Sequence, residues 1–143
     1  MTIHTYHSLA VKYYEESAYT DEEIKKLLME NKPIKKLQTK PIDILLIDET
    51  QDMSQDYYNL VKKFISDTKS NPKIIVMGDR NQAIYEFKGA DNRFLSLSPN
   101  IWDIPFTQLP LTTSYRLTKQ MTEFVNNIMI GKRIINNVKE GSN

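Results

Sequence analysis

Two acidic residues follow an apolar run near residue 48. Asp48 and Glu49 come directly after Leu45-Leu46-Ile47, a composition typical of a buried strand. Ligand sites of open α/β sheets lie at the carboxyl ends of parallel strands. One carboxylate there can hold Mg²⁺ on a nucleotide, and the next can orient or deprotonate an attacking water. The alternative is that the two acids are a solvated strand end.

A second polar loop follows the apolar run of residues 73–77. It contains Gln82, whose neutral amide suits a site that senses a phosphate or positions a water without adding charge. Tyr85 and Phe87 then alternate with charged residues, Lys88 among them. Aromatic rings and cations together stack bases and neutralise a nucleic-acid backbone. The alternative is that the two aromatic side chains close the hydrophobic core.

A strand, a helix and a second strand must position these loops. The apolar runs 42–47 and 73–77 predict parallel strands buried on both faces, and residues 54–66 carry apolar positions at helical spacing after the N-cap Ser54. This order within about 35 residues predicts a βαβ crossover. Both polar loops then lie at the same edge of the sheet.

Further elements flank this crossover. The sequence predicts a helix over 6–18 and a second that opens with the capping-box pattern Thr20-Asp-Glu-Glu23 and stops before Pro33. It predicts a third strand over 106–111, a final helix from Thr118 to about Gly131, and a polar tail that frays.

The composition excludes several classes of function. The 143 residues carry a net charge of +1, so contact with a polyanion requires a local patch. The absence of cysteine excludes disulfides and thiolate chemistry, and two histidines, His4 and His7, make a histidine-built zinc site an unattractive hypothesis. No apolar run approaches the length that a bilayer requires. We therefore expect a soluble intracellular α/β protein without a membrane partner, in either cytoplasm or nucleus.

Four segments resemble the motifs of UvrD/Rep-type superfamily 1 DNA helicases, in the family's order. Residues 46–52, LIDETQD, resemble the Walker B segment DExQD, and residues 78–91, GDRNQAIYEFKGAD, resemble motif III, GDxxQxIYxFRGA. Residues 111–118, LTTSYRLT, are similar to motif IV, and residues 5–10, TYHSLA, to the upstream segment TFHSLA that touches single-stranded DNA. The four segments cover roughly residues 5 to 130.

The resemblance implies roles at the nucleotide. Asp48 would hold Mg²⁺, and Glu49 would activate the hydrolytic water. Gln82 would couple the γ-phosphate to the DNA-binding loop, and Arg116 would stabilise charge that develops on the γ-phosphate. Without its neighbouring motifs, Arg116 would be interpreted as a surface arginine paired with an acid. Gln51 and Asp52 would link the nucleotide site to neighbouring motifs.

The resemblance also implies a DNA-binding surface. Tyr85 and Phe87 would meet bases, with Lys88 and His7 near the strand. For His7, packing on Tyr6 at the start of a helix is an equally good interpretation.

Two departures from the family pattern affect fine geometry. Ser114 stands where the family usually has Asn, and Phe87-Lys88 replaces a common Trp-Arg or Phe-Arg. Phenylalanine still offers an aromatic face. Lysine still neutralises phosphate, but as a point charge without the planar fork of arginine.

The chain lacks the loop that wraps nucleotide phosphates, G-x-x-x-x-G-K-[ST]. None of its four glycines has another glycine five positions earlier, and the Gly131-Lys132 pair is followed by Arg133. We therefore expect ATP and Mg²⁺ to bind only with a complementary segment that supplies this loop and the second RecA-like domain. A helicase fragment, a split subunit and a degenerate relic all fit this pattern.

These inferences define the expected architecture and function. We predict an incomplete RecA-like α/β domain of the P-loop NTPase type over residues 1–135, with a parallel sheet of about three strands and flanking helices, then a polar tail over 136–143. The leading function is ATP hydrolysis coupled to translocation on single-stranded DNA, inactive in this chain alone. A non-catalytic module for single-stranded DNA or partner docking is the alternative. An unrelated α/β phosphohydrolase ranks last, because it leaves residues 82–91 unexplained.

Overall fold

The computed structural model describes residues 1–35, 41–85, 87 and 89–139. The chain forms two compact units, Met1–Pro105 and Phe106–Asn143. Each unit is described by itself below. This division differs from the predicted domain over 1–135 with a tail over 136–143.

Two capped helices open the first unit. Helix α1 spans Tyr6–Tyr13, and the side chain of Thr5 accepts a hydrogen bond from the Ser8 amide at its start. Helix α2 spans Asp21–Met29 and has the predicted capping box, in which Thr20 and Glu23 each accept from the other's backbone amide. Helix α1 is shorter than predicted, because the backbone leaves helical geometry at Tyr14 (φ −125°, ψ −65°).

The predicted βαβ order is present in the first unit. Strand β1, Ile44–Ile47, pairs in parallel with strand β2, Lys73–Val76, and Ile47 lies opposite Val76. Helix α3, Gln55–Asp67, joins them, and the Ser54 side chain caps it by accepting from the Tyr57 amide at 3.3 Å. Two short helices follow, α4 over Arg93–Ser96 and α5 over Ser98–Trp102.

The core of the first unit lies between its three long helices. Its buried residues share the inner faces of α1, α2 and α3 and the turn after α1; they are Ala10, Tyr13, Tyr14, Ala18, Ile24, Leu27, Leu60 and Phe64. Tyr14 is fully buried, and its hydroxyl donates to Asp67 Oδ2 at 3.0 Å. The apolar positions at helical spacing therefore pack helix against helix, as a helical stripe predicts.

The prediction that both faces of the sheet are buried is wrong for the described residues. Side chains alternate between exposed and covered positions along β1 and β2. Ile44, Leu46 and Ile75 are exposed, whereas Ile47 is buried. The physical reason is that the sheet has two strands here and its second face has no covering layer among the described residues.

The second unit is a small strand–helix–strand unit. Strand β3, Thr113–Thr118, pairs in parallel with strand β4, Asn136–Lys139. Helix α6, Lys119–Phe124, continues as a π-helix over Val125–Ile130. The helix stops at Gly131, whose φ of 71° lies in the left-handed region that favours glycine.

Two predictions for this unit are wrong. The third strand lies at 113–118 and not at 106–111, because Pro105 and Pro110 each lack a backbone donor for a strand ladder. Residues 136–139, predicted as part of a polar tail, form β4. Instead of one sheet of three strands, the described residues form two sheets of two strands each.

Candidate nucleotide and nucleic-acid site

The acid pair lies where β1 ends. Asp48 and Glu49 are exposed, and the Asp48 carboxylate accepts from the Glu49 amide at 2.9 Å. Glu49 has φ 49° and ψ 42°, a left-handed conformation that is uncommon for a residue with a side chain. This turn leads into a 3₁₀ turn over Thr50–Asp52.

Backbone hydrogen bonds carry the pairing of the two strands past their ends. The Met77 amide donates to the Ile47 carbonyl at 2.8 Å, and the Thr50 amide donates to the Met77 carbonyl at 2.8 Å. The buried Thr50 hydroxyl also donates to the Ile47 carbonyl, at 3.0 Å. The loops after β1 and β2 are therefore joined at one edge of the sheet, as predicted.

The side chain of Gln51 bridges the two loops. Its Nε2 donates to Glu49 Oε2 at 2.7 Å and to Asp52 Oδ2 at 3.4 Å. Its Oε1 accepts from the Asp79 amide at 3.1 Å. Gln51 is only 1% exposed, so an amide inside the protein holds the Glu49 carboxylate on one side and the second loop on the other.

The second loop is held by Asp79. Its Oδ1 accepts from the Asn81 amide at 2.9 Å, and its Oδ2 accepts from Gln82 Nε2 at 3.1 Å. A continuous set of hydrogen bonds therefore runs from the Glu49 carboxylate through Gln51 and Asp79 to the Gln82 side chain. Gln82 lies in a 3₁₀ turn over Arg80–Gln82 and is exposed.

The aromatic residues of this loop lie on the surface. Phe87 is 79% exposed and Tyr85 is 41% exposed, and their ring centroids are 6.2 Å apart. The alternative in which they close the core does not hold. Lys88, predicted to accompany them, lies outside the described residues.

The loop returns to the start of α3. The Asp91 amide donates to the Met53 carbonyl at 2.9 Å, and Ser54 pairs with Ala90 in an antiparallel bridge. The Arg93 guanidinium beside Asp91 holds the pKa of that carboxyl below its usual range. Both ends of the aromatic loop are therefore attached to the segment that follows the acid pair.

His7 belongs to a polar and aromatic cluster that joins α1, α2 and α3. Its Nε2 lies 3.1 Å from Asp21 Oδ1, and the Tyr57 hydroxyl donates to the same oxygen at 2.6 Å. Tyr6 stacks on Tyr57 with ring centroids 4.2 Å apart. Burial raises the pKa of Tyr6 to about 12, and burial together with Asp21 raises that of Tyr57. His7 therefore contacts Asp21 and meets the Tyr57 ring edge-on, with ring centroids 5.9 Å apart.

A cavity of about 200 Å³ lies between this cluster and the aromatic loop. Its lining comes from both sides: Asp21, Asp52, Ser54, Tyr57, Tyr85 and Ala90. Asp52 Oδ1 is buried without a hydrogen-bond partner among the described residues. The two regions predicted to meet nucleic acid, around His7 and around Tyr85, therefore border one space.

Arg116 lies on β3, in the second unit. It is exposed, and its backbone amide donates to Ser114 Oγ at 3.3 Å. Ser114 Oγ also accepts from the Leu117 amide, at 3.0 Å, so the serine in place of the family's asparagine stabilises the local bend of the strand.

The residues at the strand ends fit a magnesium–nucleotide complex only in part. Among the described residues, no group of three or more histidine, aspartate or glutamate side chains forms a metal cage. Mg²⁺ usually takes one or two protein carboxylates with phosphate and water oxygens, and the exposed Asp48 suits that role. The phosphates lack a matching cradle, because the sequence contains no G-x-x-x-x-G-K-[ST] loop.

Three residues contribute to this site although the sequence alone does not indicate it: Asp79, Asp21 and Tyr57. Asp79 lies in the segment that resembles motif III, but its residue type alone does not indicate that its carboxylate accepts a hydrogen bond from Gln82. Asp21 lies in the capping-box segment of α2 and Tyr57 lies in α3, and neither position by itself indicates a functional site. Their contact joins residues 36 positions apart, and spacing carries no signal for such a pair.

The first unit is thus an α/β unit in which β1 and β2 end at the same edge of a parallel sheet. Strand β1 is followed by the acid pair, and β2 is followed by the loop that carries Gln82 and the two aromatic residues. The chain belongs to the UvrD/Rep helicase family: the family's N-terminal domain, described as "UvrD/REP helicase N-terminal domain", matches residues 4–100. The matched segment lies within Met1–Pro105.

Curated relatives agree with this family. The ATP-dependent DNA helicase Rep of Escherichia coli is 32% identical over 101 residues, which are 70% of this chain and 14% of that protein. The RecBCD enzyme subunit RecB of Haemophilus influenzae is 37% identical over 82 residues, 57% of this chain and 6% of that protein. A probable DNA helicase II homolog of Mycoplasma genitalium is 28% identical over 87 residues, 60% of this chain and 12% of that protein. The chain therefore spans less than a fifth of each of these relatives.

Helices long and apolar enough to cross a bilayer are absent from the part of the chain that the structure describes.

Proposed function

We propose that this chain is part of the motor of an ATP-dependent DNA helicase of the UvrD/Rep type. In this proposal its first unit is an incomplete RecA-like domain that carries the hydrolytic acids and the single-stranded DNA loop. A complementary segment, in the same or another polypeptide, supplies the phosphate-binding loop and a second RecA-like domain. ATP hydrolysis by the assembly then drives movement along single-stranded DNA.

One observation carries this proposal: Gln51 connects the acid at the end of β1 with the loop after β2. Gln51 Nε2 donates to Glu49 Oε2 at 2.7 Å, and the Asp79 amide donates to Gln51 Oε1 at 3.1 Å. In this proposal, a shift of the Glu49 carboxylate moves the loop that holds Gln82 and the aromatic residues. A motor needs this kind of connection between its hydrolytic and DNA-binding groups.

The nucleotide-facing roles follow the chemistry of each side chain. Asp48 would hold Mg²⁺, which neutralises charge on the phosphates of bound ATP. Glu49 would orient and deprotonate the attacking water, and its left-handed backbone sets the direction of its side chain. Gln82 would contact the γ-phosphate without adding charge. Arg116 would stabilise charge that develops on the γ-phosphate with its planar fork.

The DNA-facing roles rest on exposure. The exposed rings of Tyr85 and Phe87 offer faces on which bases stack, and such stacking tolerates any sequence. Lys88 would neutralise a backbone phosphate, and His7 would contact the strand from the other side of the cavity that Tyr85 and Tyr57 share. Single-stranded DNA is therefore the proposed polymer substrate.

The test compares the full chain alone with the chain given a segment that carries the G-x-x-x-x-G-K-[ST] sequence, both in trans and fused ahead of Met1. Phosphate release is measured with and without single-stranded DNA. We expect release only when the segment is present, with stimulation by DNA. Glu49→Gln should reduce the rate roughly hundredfold or more, because it removes the general base. Glu22→Gln, which changes an exposed acid on α2, is the matched control and should keep the rate.

Two outcomes would overturn the proposal. DNA-stimulated hydrolysis by the chain alone, abolished by Glu49→Gln, would show that no added phosphate loop is needed. Tight and salt-sensitive oligonucleotide binding without nucleotide, together with no hydrolysis in either form of the assembly, would favour the non-catalytic binding module.

A further inference from the structure

Asp79 holds the side chain of Gln82 by its nitrogen end. The Asp79 Oδ2 atom accepts from Gln82 Nε2 at 3.1 Å. An ionised carboxylate can only accept hydrogen bonds, and in a glutamine side chain only the nitrogen donates. The contact therefore sets the direction of the Gln82 amide, because its nitrogen must face the carboxylate and its carbonyl oxygen, Oε1, is left for another partner.

The Asp79 carboxylate is itself fixed in direction. Its other oxygen, Oδ1, accepts from the Asn81 amide at 2.9 Å and so caps the 3₁₀ turn that contains Gln82. The backbone amide of Asp79 donates to Oε1 of Gln51, a side chain that is only 1% exposed. Asp79 is thus held by a buried group on one side and by the turn on the other, although Asp79 itself is exposed.

The hydrogen-bonding capacity of Gln82 is only partly used. Within the described part of the chain, its side chain bonds to Asp79 and to no other residue, and Gln82 is exposed. Nε2 carries two hydrogens, of which Asp79 takes one. The side chain therefore presents one acceptor, Oε1, and one remaining N–H donor to whatever binds next to it.

These two groups match the two partners that a hydrolytic site offers. Oxygens of a γ-phosphate only accept, so they bind the N–H, whereas an attacking water donates its hydrogens and needs acceptors. Because the water attacks the phosphorus directly, one amide can contact both partners if its two ends point correctly. An inverted amide would offer a donor where the water needs an acceptor.

We infer that Asp79 is a positioning residue, which fixes the direction of the Gln82 amide and leaves Oε1 to accept from the attacking water. The identity of that water rests on the proposed function, but the direction of the amide can be tested in the chain alone. Asp79→Asn has one side-chain oxygen where the parent has two, so it can accept from the Asn81 amide or from Gln82 Nε2, and not from both. We expect the turn to keep the oxygen and the Gln82 amide to invert, because the backbone amide has less freedom to turn away.

Side-chain amide resonances of the full chain, recorded without nucleotide, test the direction of the amide. The exposed Gln108 is the internal reference for an amide in water. We expect the Gln82 NH₂ resonances to differ from those of Gln108 in the parent. They should approach the reference in Asp79→Asn, while the backbone amide of Asn81 keeps its shift. Asp43→Asn, which removes an exposed acid just before β1, is the matched control and should leave both signals unchanged.

Kinetics of the full chain with the added phosphate-loop segment test the role of the amide. Asp79→Asn should lower kcat roughly threefold to tenfold, as the loss of one hydrogen bond does. The KM for ATP should change by less than about twofold, because Nε2 still contacts the phosphate. In a double-mutant cycle with Gln82→Ala the two losses should not add, since the second change removes the amide that Asp79 positions. Asp43→Asn should keep the parent values.

Several results would overturn the inference. Gln82 resonances that match those of Gln108 in the parent, or that Asp79→Asn leaves in place, would show that the carboxylate does not fix the amide. Additive losses of kcat, or a raised KM with unchanged kcat, would show that Asp79 does not act through Gln82. If the parent assembly does not hydrolyse ATP, the proposed function fails, and the resonances alone decide whether Asp79 orients the amide. If Asp79→Asn does not fold, the comparison of Gln82 with Gln108 in the parent decides.

Discussion

A Cβ atom added at Gly78 would collide with Oε1 of Gln51, so the two residues can occupy their positions only while residue 78 lacks a side chain. The same atom would lie 3.2 Å from the Thr50 amide nitrogen and 3.2 Å from Leu95 Cδ2. Gly78 is therefore required for close approach between the loops, and not for an unusual backbone angle. The bridge from Glu49 to Asp79 depends on this contact.

Gly78→Ala should lower the free energy of unfolding by roughly 1–3 kcal/mol, as overpacking in a tight site does. Urea denaturation measures it. In a double-mutant cycle with Gln51→Ala, the two losses should not add, because the second change removes the atom with which the new methyl group collides. Strict additivity would show that Gln51 does not fill the space next to residue 78.

Gln51→Glu should destabilise the first unit by roughly 3 kcal/mol or more at neutral pH, because a buried donor becomes a carboxylate beside Glu49 and Asp52. Burial and two like charges raise the pKa of the new carboxyl. Its protonation restores a donor, so the penalty should shrink as the pH falls. Denaturation at several pH values measures this.

The exposed Gln55→Glu, at the start of α3, is the control for that variant and should change stability by no more than about 0.5 kcal/mol. Equal losses in the two variants at neutral pH would contradict the proposed bridge.

Tyr6→Phe should reduce the amount by which the free energy of unfolding falls between pH 10 and pH 12. The pKa of Tyr6 is raised by burial from 10.0 to about 12, so its contribution is present below pH 10 and is lost as the pH rises through 12. The shift corresponds to roughly 3 kcal/mol. Urea denaturation between these pH values, with tyrosinate absorbance as a second readout, measures the difference.

Tyr19→Phe, which removes an exposed phenol, is the matched control and should leave the pH dependence of the parent. A remaining slope in Tyr6→Phe is expected, because the pKa values of Tyr14 and Tyr57 are raised as well. An unchanged slope in Tyr6→Phe would mean that Tyr6 is not buried against Tyr57 in solution.

The buried Asn126 side chain accepts from the Ile134 and Ile135 amides and donates to the Ile135 carbonyl. Asn126→Ala should lower the free energy of unfolding of the second unit by roughly 2–4 kcal/mol, because these three groups lose their partner. Hydrogen exchange of the amides in residues 113–139 measures that opening. Asn127→Ala, at the exposed neighbouring position, should stay within about 0.5 kcal/mol of the parent. Similar losses in the two variants would show that the Asn126 hydrogen bonds are not what holds the π-helix.

Local signals predicted the three longer helices, α1 to α3, and both strands of the first unit. Thr20 with Glu23 and Ser54 before α3 are side-chain caps that act over three residues, and such short-range chemistry is visible in sequence. The apolar run of β1 was also visible. The exposure of one face of β1 could not be predicted from this run. Whether a sheet face is buried depends on other elements that pack on it, and the run does not specify those elements.

The sequence predicts the residues of the candidate site, but it does not predict the hydrogen bonds that join them. Type and order indicated Glu49 and Gln82, since a strand end followed by polar residues is a local pattern. The hydrogen bonds through Gln51 and Asp79 join loops 28 residues apart in sequence. Such contacts depend on strand register, and a one-residue slip of a strand would break them.

The left-handed backbone of Glu49 has a consequence for directed evolution. Glycine relaxes such a conformation, whereas a carboxylate-bearing residue keeps it under tension. A selection that rewards heat resistance alone would therefore discard this side chain early, and with it the proposed general base. Thermal stability and the proposed catalysis thus place opposite demands on residue 49. A screen for more heat-resistant variants must therefore select for hydrolysis as well as for stability.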